Sequence, residues 1–543
     1  MAPSEDCGWL LYLSLAAKCG DPHRLLGLAA VFAAAFVVTA LLHWAAPGGS
    51  AWGWYWWARR GGLGIGAAIP GPRGLPVLGS MGLMTGLAHR KLAAAAAAGG
   101  KARRRLMAFS LGETRVVVTA DPDVARELLA SAAFADRPVK ESAYGLLFHR
   151  AIGFAPHGAY WRALRRVASA HLFSPRQIAA SAAQRAVIAR QMVDAMAEER
   201  PAAAAGTVTA RRFLKRASLH NVMWSVFGRR YELQAASEEA AELKSLVDEG
   251  YDLLGQLNWS DHLPWLARFD LQRIRARCSA LVPRVNRFVG RIIDEHRARH
   301  ALGGGVAAVM DFTDVLLSLQ GSDKLSDADM IAVLWEMIFR GTDTVAVLME
   351  WVLARLVLHQ DVQRRVHEEL DRVVGPGKAV TEADTASLVY LQAVIKEVLR
   401  LHPPGPLLSW ARLATSDVHV GGYLVPAGTT AMVNMWAITH DPAVWSDPTE
   451  FKPERFLAGS SDHADEFPIM GSDLRLAPFG SGRRSCPGKS LAMATVVSWL
   501  ATLLHELEWL PPSDGGVDLS EVLRLSCEMA APLEARLVPR HAA

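Results

Sequence analysis

The stretch "MIAVLWEMIFRGTDTVAVLMEWVLARLVL" (Met330–Leu358) restricts the possible folds of this chain more than any other. It belongs to a run without proline from Ser326 to about His359, opened by an S-x-x-D signal at Ser326 and Asp329. The run is apolar on most faces, so it predicts a long helix that is buried rather than laid on a surface. Gly341-Thr342-Asp343-Thr344 sits in its middle. A glycine there costs about 1 kcal/mol against alanine, and polar neighbours in an apolar helix need partners. Two readings follow: a locally satisfied kink, or an opening where a ligand crosses the helix.

The second constraint is "PFGSGRRSCPGKSLA" (Pro478–Ala492), which fences Cys486 between glycines, with two arginines before it and a proline after. Glycines permit tight turns and close approach. The apolar segment downstream reads as a helix, which places Cys486 just before a helix N-terminus, where a thiolate is favoured over a thiol. Zinc needs about four protein ligands, and this segment offers one sulfur. A thiol nucleophile would need a positioned histidine from elsewhere. A haem iron fits the single sulfur, because the porphyrin supplies the other nitrogens.

The rest of the chain sets bounds. A length of 543 residues suggests about three or four domains, yet no interior linker supports that division. "ALGGGVAA" (Ala301–Ala308) reads better as a loop between helices, and one large helical domain is expected. Lys plus Arg number 58 against 54 Asp plus Glu, with no long basic tract, so nucleic acid is not expected as a partner. Five scattered cysteines do not make a disulfide framework.

"LLGLAAVFAAAFVVTALLHWAA" (Leu25–Ala46) is long enough, at about 33 Å as a helix, to cross a bilayer. Trp44, Trp52, Trp54, Tyr55, Trp56 and Trp57 follow as an interfacial belt would. A retained anchor is the expectation, since a cleaved leader would have a shorter apolar core and an evident cleavage site. Lys18 and Arg24 on one side nearly balance Arg59 and Arg60 on the other, so charge does not settle orientation. The expected organisation is a short N-terminus over 1–24, an anchor over 25–46, an aromatic and Pro/Gly-rich hinge over 47–80, and one catalytic domain over 81–543.

Further on, "RLMAFSLGETRVVVTA" predicts two short strands about a turn, and "DPDVARELL" a helix behind Asp and Pro. In "LQAVIKEVLRLHPPGP", Glu397 and Arg400 share a helix face among apolar residues. A buried charged pair must be hydrogen-bonded further, so a third partner is wanted. Arg455 of "FKPERF" is available in a loop.

These motifs together resemble the cytochrome P450 family. Phe479-x-x-Gly482-x-Arg484-x-Cys486-x-Gly488 is similar to its haem-binding loop, and Glu397-x-x-Arg400 with Arg455 resembles its Glu-Arg-Arg lock. Trp161-x-x-x-Arg165 is similar to its haem-propionate contact, and Gly341-x-Asp343-Thr344 to its oxygen-activation segment. "FADRP", "FAPHGAYWRALRR", "FRGTDT", "LHPPGPLLSWARLA" and "GSDLRLAPFG" resemble the plant microsomal family seventy-eight, subfamily A. The likeness runs from about Pro70 to the C-terminus. Arg340 and Val345 depart from the pattern, where the family carries a small residue and a hydroxyl.

The resemblance implies a mainly helical fold with a small β-rich lobe behind an N-terminal transmembrane helix. It implies haem b with iron axially ligated by Cys486, and Asp343 and Thr344 relaying protons while one oxygen atom enters a C–H bond. NADPH–cytochrome P450 reductase is the implied electron donor, since the chain carries no dinucleotide fingerprint; Arg162, Arg166 and Lys489 are candidate docking cations. The implied location is the endoplasmic reticulum membrane, single-pass, with a lumenal N-terminus and a cytosolic catalytic domain. The implied substrate is small, apolar and fatty-acid-like, with a role in organ or seed growth. Arg340 stands either in a local bond to Glu336 or Asp343, or as the grip on an acidic substrate group. Two rivals stay open: a haem-thiolate isomerase or dehydratase of hydroperoxides, and a non-enzymatic haem sensor or electron carrier.

Overall fold

A computed structural model describes residues 22–58, 67–200, 206–233, 238–302, 311–408, 411–459, 468–513 and 516–541. The proline-free run forms one unbroken helix, Asp327–Leu358, whose N-cap Ser326 accepts from the Asp329 amide at 3.2 Å. It is the axis of the molecule. Its first half, Met330 to Phe339, is buried in one apolar core with the helices Ala210–Phe227 and Ile274–Ala301. Its second half, from Ala346, is buried in another core with the helices Val389–Leu401 and Lys489–Glu506. Arg340 to Val345 falls between them. Polar residues are tolerated there because the helix passes from one apolar core to the next.

Gly341 does not kink the helix. A Cβ on it would lie 2.6 Å from Cγ2 of Val222, so the glycine lets the helix Ala210–Phe227 cross at close range. Thr342 returns its hydroxyl to the Ile338 carbonyl at 2.6 Å, one turn back, which satisfies it locally.

The β-rich lobe is small. The two strands expected on either side of the Gly112 turn, Met107–Leu111 and Thr114–Thr119, pair antiparallel. The second of them pairs parallel with Thr430–Val433, which pairs antiparallel with Arg412–Leu413. A three-stranded sheet joins Thr207–Thr209, Glu534–Pro539 and Leu507–Leu510. Short hairpins complete it, one of them Glu521–Leu523 with Cys527–Met529. The helix Pro122–Ala130 starts as expected, with Asp121 accepting from the amides of Asp123 and Val124.

The apolar N-terminal run forms the helix Pro22–Trp44. Its residues Leu26–Trp44 have a mean hydropathy of 2.2 and none is buried against the rest of the chain, so it is a candidate membrane anchor. The aromatic segment behind it differs from expectation. Trp52 is completely buried and its Nε1 donates to the Phe109 carbonyl at 3.1 Å, while Tyr55 lies under the Arg115 guanidinium. Among the described side chains of this segment Trp54 stands well out, at 65 % exposure. The helix Ser50–Ala58 docks on the β lobe, and Pro70 accepts from the Ala108 amide at 3.0 Å. Within the Pro/Gly-rich stretch expected as a hinge, Gly71, Gly79 and Ser80 are thus buried while residues 73–78 are exposed. Residues 1–21, Arg59, Arg60 and most of "ALGGGVAA" lie outside the described residues.

Candidate functional site

Cys486 lies three residues before the helix Lys489–Glu506. Its amide donates to the Phe479 carbonyl at 3.0 Å, closing the loop, and Phe479 itself packs partly buried against the larger core. Gly482 has φ +69°, and a Cβ there would stand 2.0 Å from the Leu129 carbonyl oxygen. Only glycine fits both conditions.

Burial pushes the Cys486 thiol pKa up, while the Gly488 amide and the cations Arg340, Arg165 and Lys489 pull it down. The other described free cysteines are placed differently. Cys278 and Cys527 are buried, with thiols pushed up chiefly by burial and then by neighbouring carboxylates. A donor amide and surrounding cations are found at Cys486, and these are what stabilise a thiolate.

Around this loop the fold gathers five guanidiniums from distant parts of the chain: Arg137, Arg165, Arg340, Arg412 and Arg484. The short segment Ala151–Ala155 ties two of them, Arg137 and Arg484, to Trp161. The Ile152 carbonyl accepts from Trp161 Nε1 at 2.9 Å and from Arg484 at 3.0 Å. The Ala155 carbonyl takes Arg484 at 2.5 Å, and the Gly153 carbonyl takes Arg137 at 3.2 Å. Arg484 also lies over the Trp161 ring, 4.4 Å from its centroid. Trp161 is thus a platform whose indole N–H is already committed. Arg165, one turn on, is partly exposed.

Two carboxylates answer these cations, Glu336 and Asp136. Burial, more than the neighbouring charges, lowers the pKa of the buried guanidiniums. Burial and then Arg484 and Arg165 bring Arg412 to about 9. Burial, opposed by Asp136 and Glu336, leaves Arg484 at about 10. Burial and then Arg412 push Arg137 well down. Opposite charge beside such a cluster would favour the charged form of each guanidinium.

Arg340 lies 3.4 Å from Glu336, one turn back on the same helix, and its side chain is 36 % exposed. Glu336 is buried and receives the Gly153 amide on both oxygens, at 2.8 and 3.1 Å. Burial raises its pKa, and Arg340 works against that rise. The local-bond reading of Arg340 is therefore realised with Glu336.

Asp343 and Thr344 are held apart in role. Asp343 is buried and faces the helix Ala210–Phe227, where Lys215 Nζ lies 2.9 Å from its Oδ1. Lys215 also reaches Glu528 at 3.1 Å. Thr344 is exposed, and no hydrogen bond joins it to Asp343 among the described residues. Lys215, Arg137, Arg412 and Glu336 were not singled out from the sequence. Arg137 lies in "FADRP" and Arg412 in "WARLA", but nothing local indicates that residues 275 positions apart meet.

The lock residues are fully inside. Arg400 donates to Glu397 at 2.8 and 2.7 Å, and to the carbonyls of Thr439 and Pro448 at 2.9 and 2.7 Å. Arg455 reaches Glu397 at 3.4 Å and the Asp447 carbonyl at 2.8 Å. The Lys452 amide adds 3.0 Å to the same carboxylate. Among the docking candidates, Arg166 is held by Asp323 at 2.7 Å and Lys489 by the Met470 carbonyl at 2.7 Å, and Arg162 is exposed.

Residues 69–527 match the family described as Cytochrome P450. The chain is 61 % identical over 99 % of both chains to "Cytochrome P450 78A9" of Arabidopsis thaliana. It is 58 % identical over 99 % of both to "Cytochrome P450 78A3" of Glycine max. It is 38 % identical to "Trimethyltridecatetraene synthase" of Zea mays, over 87 % of this chain and 88 % of that one.

Proposed function

The chain belongs to the cytochrome P450 family, and from that premise we propose that Cys486 holds the haem iron of a monooxygenase acting on an apolar substrate with an acidic group. Family membership and the close relatives support an oxidoreductase of the haem-thiolate class. The surplus of guanidiniums carries the assignment to this site. A haem has a flat apolar body, two acidic side groups and an iron needing one more ligand, which suits the unbalanced cations and the single sulfur.

Bound haem supplies dioxygen activation and transfer of one oxygen atom into a C–H bond. The chain's own residues do the rest. The Gly488 amide and nearby cations work against the burial of Cys486 and would favour its thiolate once the iron is bound, and outer hydrogen bonds of this kind tune a ligand's basicity. Arg137, Arg165, Arg412 and Arg484 hold the acidic groups of the cofactor. Thr344, exposed between the two cores, orients a water; at its ordinary pKa its hydroxyl is no general acid. Asp343, steadied by Lys215, exchanges protons with that water. Glu397, Arg400 and Arg455 keep the framework rigid.

The Arg340 side chain is 36 % exposed on the helix while Glu336 neutralises part of its charge. It is placed to hold an acid group and so to fix which carbon is oxidised. Electrons come from a separate NADPH-dependent reductase, and the catalytic domain works on the cytosolic face of the endoplasmic reticulum. A fatty-acid-like substrate and a part in plant organ or seed growth complete the reading.

The test pairs the purified enzyme with reductase, NADPH and a panel of fatty acids and their methyl esters, following NADPH consumption and products. Monooxygenation of the acids supports the proposal. Conversion of hydroperoxides without NADPH, or NADPH-independent haem binding with no product, would replace it with one of the rivals. Arg340→Ala should lose the preference for acid over ester by about 1.5–3 kcal/mol, a charged hydrogen bond's worth. An undiminished preference makes Arg340 structural.

A further inference from the structure

The last turn of the helix Lys489–Glu506 carries His505, which is 1 % exposed. Neither of its ring nitrogens has a hydrogen-bond partner of good geometry; the Lys378 carbonyl is near enough only to raise its pKa weakly. Beside it are Nε2 of His541 and Nε2 of His367, both buried and also without partners. The rings of His505 and His541 are 4.9 Å apart. Asp371 completes the group: a ligand atom from each of Asp371, His505 and His541 lies within 4.8 Å of the others. His367 and Asp371 are four apart on the helix Gln360–Val373 and so share a face.

Buried polar nitrogens without partners are uncommon and call for an explanation such as an ordered water or an ion. Here two imidazoles leave such nitrogens beside one carboxylate, with a third on the same helix face as that carboxylate, in a place the reaction does not use. About 24 Å of helix separates His505 from the loop of Cys486.

We propose that His367, Asp371, His505 and His541 form a divalent-metal site, suited to zinc, that clamps the C-terminal tail to two helices. Three imidazole nitrogens and one carboxylate oxygen are a donor set that zinc takes tetrahedrally. Ligands at zinc distances stand about 3.4 Å apart, against the 4.8 Å within which the atoms of Asp371, His505 and His541 already lie; His367 is the fourth group, one turn from Asp371. Arg540 donates to both Asp371 oxygens at 2.9 and 2.8 Å and to the His505 carbonyl at 3.1 Å. It leaves each carboxylate oxygen a free lone pair, and it orients the carboxylate as outer partners of metal ligands do. Glu506, paired with Arg190 at 3.3 Å, is the other carboxylate near His505.

The experiment titrates zinc chloride into the full-length, haem-loaded protein, made without a histidine tag, by calorimetry, with thermal unfolding in parallel. Wild type should bind one zinc per chain and unfold at a higher temperature with it. Asp371→Asn and His541→Gln, chosen because both side chains reach the surface, should each weaken zinc binding by about tenfold or more. Both should keep the wild-type reduced carbon-monoxide spectrum, which shows that they fold. No saturable binding in wild type, or wild-type binding in both variants, overturns the proposal and leaves the nitrogens to water.

Discussion

Cys486 differs from Cys278 and Cys527 through its neighbours, since all three thiols are pushed up by burial. The Gly488 amide and the flanking cations make a thiolate tenable at Cys486 once a metal offsets the burial. Cys486→Ser should therefore give a protein whose reduced carbon-monoxide complex lacks the long-wavelength Soret band of thiolate ligation. Retention of that band would show that another residue holds the iron. The cysteine, its glycines and Arg484 were legible in the sequence because one short loop carries them all. Arg137, Arg412 and Glu336 were not, because their significance is a shared electrostatic environment that only the folded chain creates. Arg340 was legible as a residue out of place, yet its bond to Glu336 was one of two within helical reach, and packing against Gly153 chose it.

Two helices depend on single residues in ways that can be measured. Glu397 accepts two guanidiniums and a backbone amide, and so ties the helix Val389–Leu401 to the loop that carries Arg455. Removing it leaves Arg400 and Arg455 buried without their carboxylate. Glu397→Ala should cost about 3–5 kcal/mol and leave little haem-loaded protein. Normal yield and haem content would show that the carbonyls of Thr439, Pro448 and Asp447 suffice. Gly341 presents the opposite case, a residue that matters because nothing projects from it. Alanine would gain about 1 kcal/mol of helix propensity, but its methyl would meet the stiff Val222 side chain, and overpacking costs about 1–3 kcal/mol. Gly341→Ala should lower stability in denaturant, and adding Val222→Ala should recover the loss. Additive effects in the double variant would disprove the contact. The sequence showed that this glycine was expensive and left a kink or an opening as the reason; the crossing helix supplies a third.

Over the whole molecule, the exposed helix Pro22–Trp44 is the part that the globule does not cover. Removing Met1–Ala46 should release the protein from membranes under carbonate. Trp52 and Tyr55 are already occupied by the β lobe and leave Trp54 as the main exposed aromatic among the described side chains of that segment. Continued resistance to extraction would reveal a second membrane element. The sequence by itself determined what is local or periodic: the buried axis, its capped start, the apolar anchor, the turn-linked strands and the cysteine loop. Each depends on residues near one another in the chain, so spacing is enough to read it. Tertiary structure alone decided the docking of the aromatic segment, the five-guanidinium cluster, the Lys215 contact to Asp343 and the histidines around Asp371. Those depend on burial and on charges brought together from distant positions, and neither has a local signature: the cost of burying a charge or an imidazole is set by what the rest of the chain places beside it.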